Sequence, residues 1–227
     1  MKCSRWLWAV TAACVLLGPV QAQKGPEKFV ALTFDDGPTP GVTERLLAGL
    51  AERYVSATFF LCGYRMENAP QLVEQIAENG HELGVHGYSH CYLNDLPRDA
   101  VLEEITATAD RIAALTGQRP TVLRPPGGLL SDTVRETAAE LGLPIILWNV
   151  DTMDWCCDNP QTVAQRIVET VEDGSIVLLH DLHDSSVQGV LLAIDQLEAQ
   201  GYQFCTVSEL ALVHNGTLEP GAAYGCF

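Results

Sequence analysis

The chain has 227 residues, 47% of them hydrophobic, and carries 29 acidic against 13 basic side chains for a net charge of −16. That acidity argues against nucleic acid as a partner, since such binding rests on basic patches, and a neutral or amine-bearing substrate fits better than an anionic polymer. The length suits one domain with a sizeable core, and no linker or low-complexity stretch divides it.

In chain order, Lys2 and Arg5 precede an apolar run over 6–20 that closes on Val20-Gln21-Ala22, the pattern of a cleavable secretory signal over 1–22. The processed chain is then expected to begin near Gln23, to be secreted or held in the cell envelope (extracellular or periplasmic), and to keep no membrane span. Short apolar runs predict strands at 29–33, 57–61, 82–86, 121–124, 145–150, 175–179 and 203–207. Segments of helical period alternate with them at 43–54, 69–79, 98–115, 132–141, 162–171 and 187–200. Strict alternation implies a parallel sheet, closed as a barrel or open and doubly wound.

The chemistry-bearing residues help to decide between these. Asp35 and Asp36, His86, Arg124, Asp151 and His180 all fall at or just past the C-terminal end of a predicted strand, and a barrel gathers those ends on one face. In Thr33-Phe34-Asp35-Asp36-Gly37-Pro38, two adjacent carboxylates point in different directions and can take different tasks. His86 and His90, spaced i, i+4, are expected on one face of a helical turn. Two imidazoles and a carboxylate with a position left open make a catalytic divalent site. Each residue alone has a structural reading, such as an Asp-Gly-Pro turn or a capped strand; their joint occurrence argues for a site. A helical zinc protease is excluded, because no Glu follows His86.

Cys62, Cys91, Cys156, Cys157, Cys205 and Cys226 follow the signal, and secretion makes disulfides plausible. Cys62 with Cys91 is the expected pair, the other pairings staying open.

The Thr-Phe-Asp-Asp-Gly-Pro run and the His-x-x-x-His run are followed by Arg124-Pro125-Pro126-Gly127, Asp151-Thr152-Met153-Asp154-Trp155 and Leu178-Leu179-His180. In this order the five motifs resemble the polysaccharide deacetylase family, the NodB-like domain of carbohydrate esterase family 4. The resemblance covers about 28–213 and implies a distorted, incomplete (β/α)7 barrel related to the TIM barrel, with 214–227 as a C-terminal tail. It implies that Asp36, His86 and His90 hold a metal, Asp35 is the base, and His180 is the acid. It further implies that Arg124 orients Asp35, that Asp154 tunes His180, and that Trp155 and Leu178 wall a pocket for the acetyl methyl group. The Gly127 N–H would face the oxyanion. One departure stands out: Gly127 occupies a position where the family commonly has Tyr.

The function so implied is hydrolysis of N-acetyl groups on N-acetylglucosamine units of a polysaccharide, peptidoglycan first and chitooligosaccharide next, by a monomer. Zinc is the expected ion, with cobalt, nickel or iron as alternatives. Two other readings share the fold: an acetyl-xylan-type O-deacetylase, and a carbohydrate-binding relative without turnover.

Overall fold

The computed structural model describes residues 27–227, so the proposed signal peptide lies outside the described residues. β1 (Lys28–Asp35) is followed by α1 (Thr43–Glu52), β2 (Thr58–Leu61), a short α2 (Gly63–Met66), α3 (Pro70–Glu78) and β3 (Glu82–Val85). Next come α4 (Arg98–Thr116), β4 (Val122–Leu123), α5 (Asp132–Glu140), β5 (Ile145–Ile146) and β6 (Val150–Asp151). The remainder comprises α6 (Pro160–Thr170), β7 (Ser175–His180), α7 (Asp184–Ala199), β8 (Tyr202–Cys205), α8 (Val207–Val213) and β9 (Ala223–Tyr224). Strands pair in parallel in the order β6-β7-β1-β2-β3-β4-β5-β9, with β8 beside the first half of β1. The sheet curls into a half-barrel with helices outside, the incomplete (β/α) barrel expected. Among the described residues no helix is long and apolar enough to cross a membrane.

β1 shows how sequence alternation sets the two faces. Val30, Leu32 and Phe34 pack outward with Leu46, Leu50, Val190 and Ile194 of α1 and α7. Ala31 turns inward to Phe60, Val122, Ile146 and Ile176, and Thr33 and Asp35 follow it at the strand's period of two. Asp35 is in register with His180 of β7 on one side and Phe60 of β2 on the other. Gly84 of β3 is required here, because a Cβ would lie 2.5 Å from the Phe60 ring and 2.9 Å from Val122. The inner ring of β2 therefore occupies the space that a side chain on β3 would take.

The predicted strand over 145–150 divides into two. Ile145 and Ile146 pair with β4 and β9, whereas Val150 and Asp151 pair with β7. Between them the chain changes partners, and the Arg124 guanidinium takes the carbonyls of Ile146 at 3.0 Å and Leu147 at 2.9 Å. A fully buried carbonyl without a donor costs about 1–3 kcal/mol, so Arg124 stabilises the seam while it serves the site.

The segment 214–227, expected as a tail, enters the sheet. Ala223 and Tyr224 pair with β5, the Leu147 N–H donates to the Tyr224 carbonyl at 2.7 Å, and Cys226 bridges Ser175 at the start of β7. The strand predicted over 203–207 stops at Cys205, since Thr206 and Glu209 form a capping box that starts α8. Cys62 and Cys91 are free thiols, as are the other four described cysteines, so the expected Cys62–Cys91 pair is not formed. Burial raises the Cys62 thiol well above its ordinary value, and it behaves as a small core residue.

Candidate active site

β1 ends on the first of the two carboxylates, and the second follows just past it. Asp35 keeps strand geometry and stays 3% exposed, while Asp36 turns into the left-handed region at φ 72°. The change of backbone hand sends the second carboxylate away from the first, toward the loop after β3. That loop is not the helical turn the i, i+4 spacing predicts: His86 follows the end of β3 directly, and Gly87 at φ 79° and His90 at φ 61° reverse the chain. The two imidazoles still meet, with ring centroids 5.2 Å apart. Backbone reversal does what helical periodicity was expected to do.

Asp36 Oδ1 lies 3.3 Å from His86 Nε2 and 2.9 Å from His90 Nε2. It is buried, yet its geometry makes no hydrogen bond to either ring. His86 Nδ1 is 2.6 Å from the Arg124 carbonyl, which can only accept, so Nδ1 carries the proton and Nε2 turns its lone pair inward. One oxygen and two nitrogens within 4.8 Å of one another suit a divalent cation. Burial alone would raise the Asp36 pKa; the two adjoining imidazoles outweigh it and hold the carboxyl well below the usual range.

Asp35 divides its two oxygens. Oδ1 accepts from Arg124 at 2.7 Å, and Oδ2 faces His86 Nε2 at 3.6 Å. Arg124 is fully buried, and the same nitrogen that reaches Asp35 lies 2.7 Å from the Thr33 hydroxyl. Its guanidinium also lies 4.2 Å from the centroid of the Phe60 ring. A guanidinium so fully committed cannot swing away, which fixes the carboxylate beside it.

Beside Asp35, at the end of the adjacent strand, His180 closes β7. The Asp154 carboxylate accepts from its main-chain N–H at 2.8 Å and from its ring Nδ1 at 2.9 Å. Asp154 is 1% exposed at the start of a short 3-10 turn. Burial opposes charge on His180, but Asp154, then Asp35 and Asp36, overcome it and push its pKa up to about 9. With Nδ1 committed, Nε2 is the nitrogen left for chemistry.

These groups border one pocket of about 410 Å³, lined by Asp35, Asp36, His86, His90, Leu178 and His180, with Gly127 and Trp155 at the edge. Arg124 and Asp154 stand directly behind its wall. Sequence reasoning missed Tyr92 and Trp148, which also line it. Trp148 falls two residues after the inward-facing Ile146, so strand period could have found it; Tyr92 sits in a loop with no periodic signal. Also missed was Glu104 of α4, whose carboxylate accepts from the N–H groups of Tyr88 at 2.7 Å and Ser89 at 2.8 Å and from the Ser89 hydroxyl at 2.7 Å. It clamps the turn between the two histidines. The fully buried Asp181 accepts from Thr43, whose hydroxyl oxygen accepts from the Thr39 N–H at 2.8 Å, tying the loop after Asp36 to the end of β7.

Comparison with known proteins agrees with this geometry. The family model for polysaccharide deacetylase matches residues 22–146. Peptidoglycan-N-acetylglucosamine deacetylase PgdA of Listeria monocytogenes is 39% identical over 183 residues, covering 81% of this chain. The chain spans 39% of that relative's length. Among solved structures, peptidoglycan deacetylase PdaC from Bacillus subtilis is 36% identical with a TM-score of 0.80, covering 84% of this chain and 93% of that one. A family 4 acetyl xylan esterase from Clostridium thermocellum, in complex with a cobalt ion, is 29% identical with a TM-score of 0.83, covering 88% and 98%. The chain belongs to the polysaccharide deacetylase family.

Proposed function

We propose that this protein is a secreted or envelope-associated, metal-dependent deacetylase that removes N-acetyl groups from N-acetylglucosamine units of a polysaccharide, with peptidoglycan as the first substrate and chitooligosaccharide as the second. The observation that carries the reading is the convergence on one pocket, from the ends of adjacent strands, of Asp35 held by Arg124 and His180 held by Asp154, with Asp36, His86 and His90 beside Asp35. Asp36, His86 and His90 would hold a divalent ion, zinc first with cobalt, nickel or iron as alternatives, which when bound lowers the pKa of water and polarises the acyl carbonyl.

The remaining work belongs to side chains. Asp35 takes the proton of the attacking water on Oδ2, because Oδ1 is occupied by Arg124. The Gly127 N–H faces the oxygen on which charge develops. His180 gives the proton from Nε2 to the departing amine, a step an amide needs more than an ester does. Leu178 and Trp155 exclude water from around the acetyl methyl group and select a short acyl chain.

Acetate release from N-acetylglucosamine oligomers and from peptidoglycan, with and without chelator and with zinc restored, tests the reading. Release that chelator abolishes and zinc recovers is expected. No release from either substrate sinks the N-deacetylase assignment. The likeness to an acetyl xylan esterase makes an O-acetyl ester the second reading, and acetylated xylan belongs in the same assay.

A further inference from the structure

Gly127 lines the pocket, Gly128 follows it, and two rings from elsewhere in the chain lie against them. Gly127 and Gly128 have φ of 67° and 66°, backbone that side chains rarely adopt. A Cβ on Gly127 would come 3.1 Å from Tyr92 Cε1, and one on Gly128 would come 2.8 Å from Trp148 Cη2. Both rings line the pocket. Tyr92 follows His90 by two residues and is 54% exposed, whereas Leu93 beside it is completely buried. Its main-chain carbonyl accepts from the Asp95 N–H at 3.3 Å in the turn before α4. The backbone is thus anchored, and the ring rests against the Gly127 peptide with much of its surface open.

We propose that Tyr92 is a substrate-binding platform that stacks on a pyranose ring of the polysaccharide, its ring forming the groove wall beside Gly127, which has no side chain of its own there. The inference rests on the reading of this pocket as a polysaccharide deacetylase site. A pyranose presents a face of C–H groups, and an aromatic ring offers it an apolar surface with a negative π-cloud while the phenol hydroxyl stays at the wet edge. Such a contact needs no charge, which agrees with a neutral sugar and an acidic protein. The main chain at Tyr92 is already anchored in the turn, so part of the ordering cost is met before binding. Trp155, which also lines the pocket, is 56% exposed, so a second aromatic group is open to ligand.

The test uses zinc-loaded Asp35→Asn protein, in which turnover does not consume ligand, and titrates an N-acetylglucosamine tetramer by calorimetry. Adding Tyr92→Ala is expected to raise Kd roughly tenfold, and adding Tyr92→Phe to raise it no more than about threefold, because the ring persists. In otherwise unaltered protein, Tyr92→Ala should raise KM for the oligomer by a larger factor than it lowers kcat. An alanine variant that binds within about twofold of its parent overturns the proposal, and so does a parent that fails to bind the tetramer. Should the deacetylase reading fail, with oligomer bound but no acetate released, the comparison of Kd values still decides the role of Tyr92.

Discussion

Asp35 at the floor of the pocket, and Arg124 and Asp154 directly behind that floor, are each at most 3% exposed, whereas Tyr92 and Trp155 at the rim are more than half exposed. Floor residues stand at or directly behind strand ends, and each one partners another: Arg124 with Asp35, Asp154 with His180. A buried charge that loses its partner is costly, so chemistry and folding are coupled there. Rim residues lie on connections, touch few polar groups and meet ligand from solvent. Changes at the floor should therefore damage both turnover and fold, and changes at the rim should alter binding while the fold stands.

Substitutions at the proposed base and its partner separate the two couplings most sharply. Asp35→Asn is expected to cost at least about a hundredfold in kcat, since proton transfer by a placed base contributes about 10²–10⁴. Metal content measured on the purified variant should be kept, while His86→Ala should lose both metal and turnover. A fully active Asp35→Asn protein would end the base assignment. Arg124→Met removes the charge that Asp35 faces and the donors for the Ile146 and Leu147 carbonyls. Breaking a fully buried pair costs about 3–5 kcal/mol, which lowers Tm by roughly 10 °C for a domain of this size. A melting temperature within a degree or so of the parent would show that the floor is no more coupled to folding than the rim.

The contrast also explains what could be read from the sequence. Asp35, Asp36, His86, Arg124 and His180 were legible as a cluster because a strand end is a fixed place: once apolar runs mark the strands, the next polar residue falls on the face that carries the pocket. The helices over 43–52, 70–78, 98–116 and 132–140 were legible from their periods. The turn at His86–His90 was misread, because i, i+4 spacing also fits a loop reversed by left-handed residues, and nothing local distinguishes them. β9 was invisible, since two residues carry no period and their pairing with β5 is decided by the gap they fill. Tyr92 and Glu104 belong to the same class: their roles come from what lies across from them, Gly127 in one case and the Tyr88–Ser89 turn in the other.

A smaller effect is expected where floor meets solvent. In metal-free protein His180 should titrate with a midpoint of about 9, above its ordinary value, because Asp154 and the carboxylates of Asp35 and Asp36 outweigh burial. A raised value means that the pair's contribution to stability is fully present below about 6.5 and is lost as pH rises through about 9. Asp154→Asn should bring the midpoint down toward the ordinary histidine value, followed by NMR of the imidazole. An unchanged midpoint would assign the shift to Asp35 and Asp36 instead.

The mildest predicted effect probes a residue that belongs to neither floor nor rim. Glu104 touches no proposed ligand, yet it holds the turn between His86 and His90 through two main-chain N–H groups and one hydroxyl. Glu104→Ala frees three donors that water can reach, so the fold should survive and the geometry of the histidine pair should loosen. Groups that orient metal ligands from behind are worth about 10–100-fold in affinity, and a partly exposed clamp belongs at the lower end. Zinc affinity measured by competition with a chelator should therefore fall by about tenfold, and kcat at saturating zinc should fall less. Glu104→Gln keeps an acceptor for part of the turn and should recover most of the loss. Unaltered zinc affinity in the alanine variant would mean that Gly87 and His90 hold their left-handed conformations without help from α4.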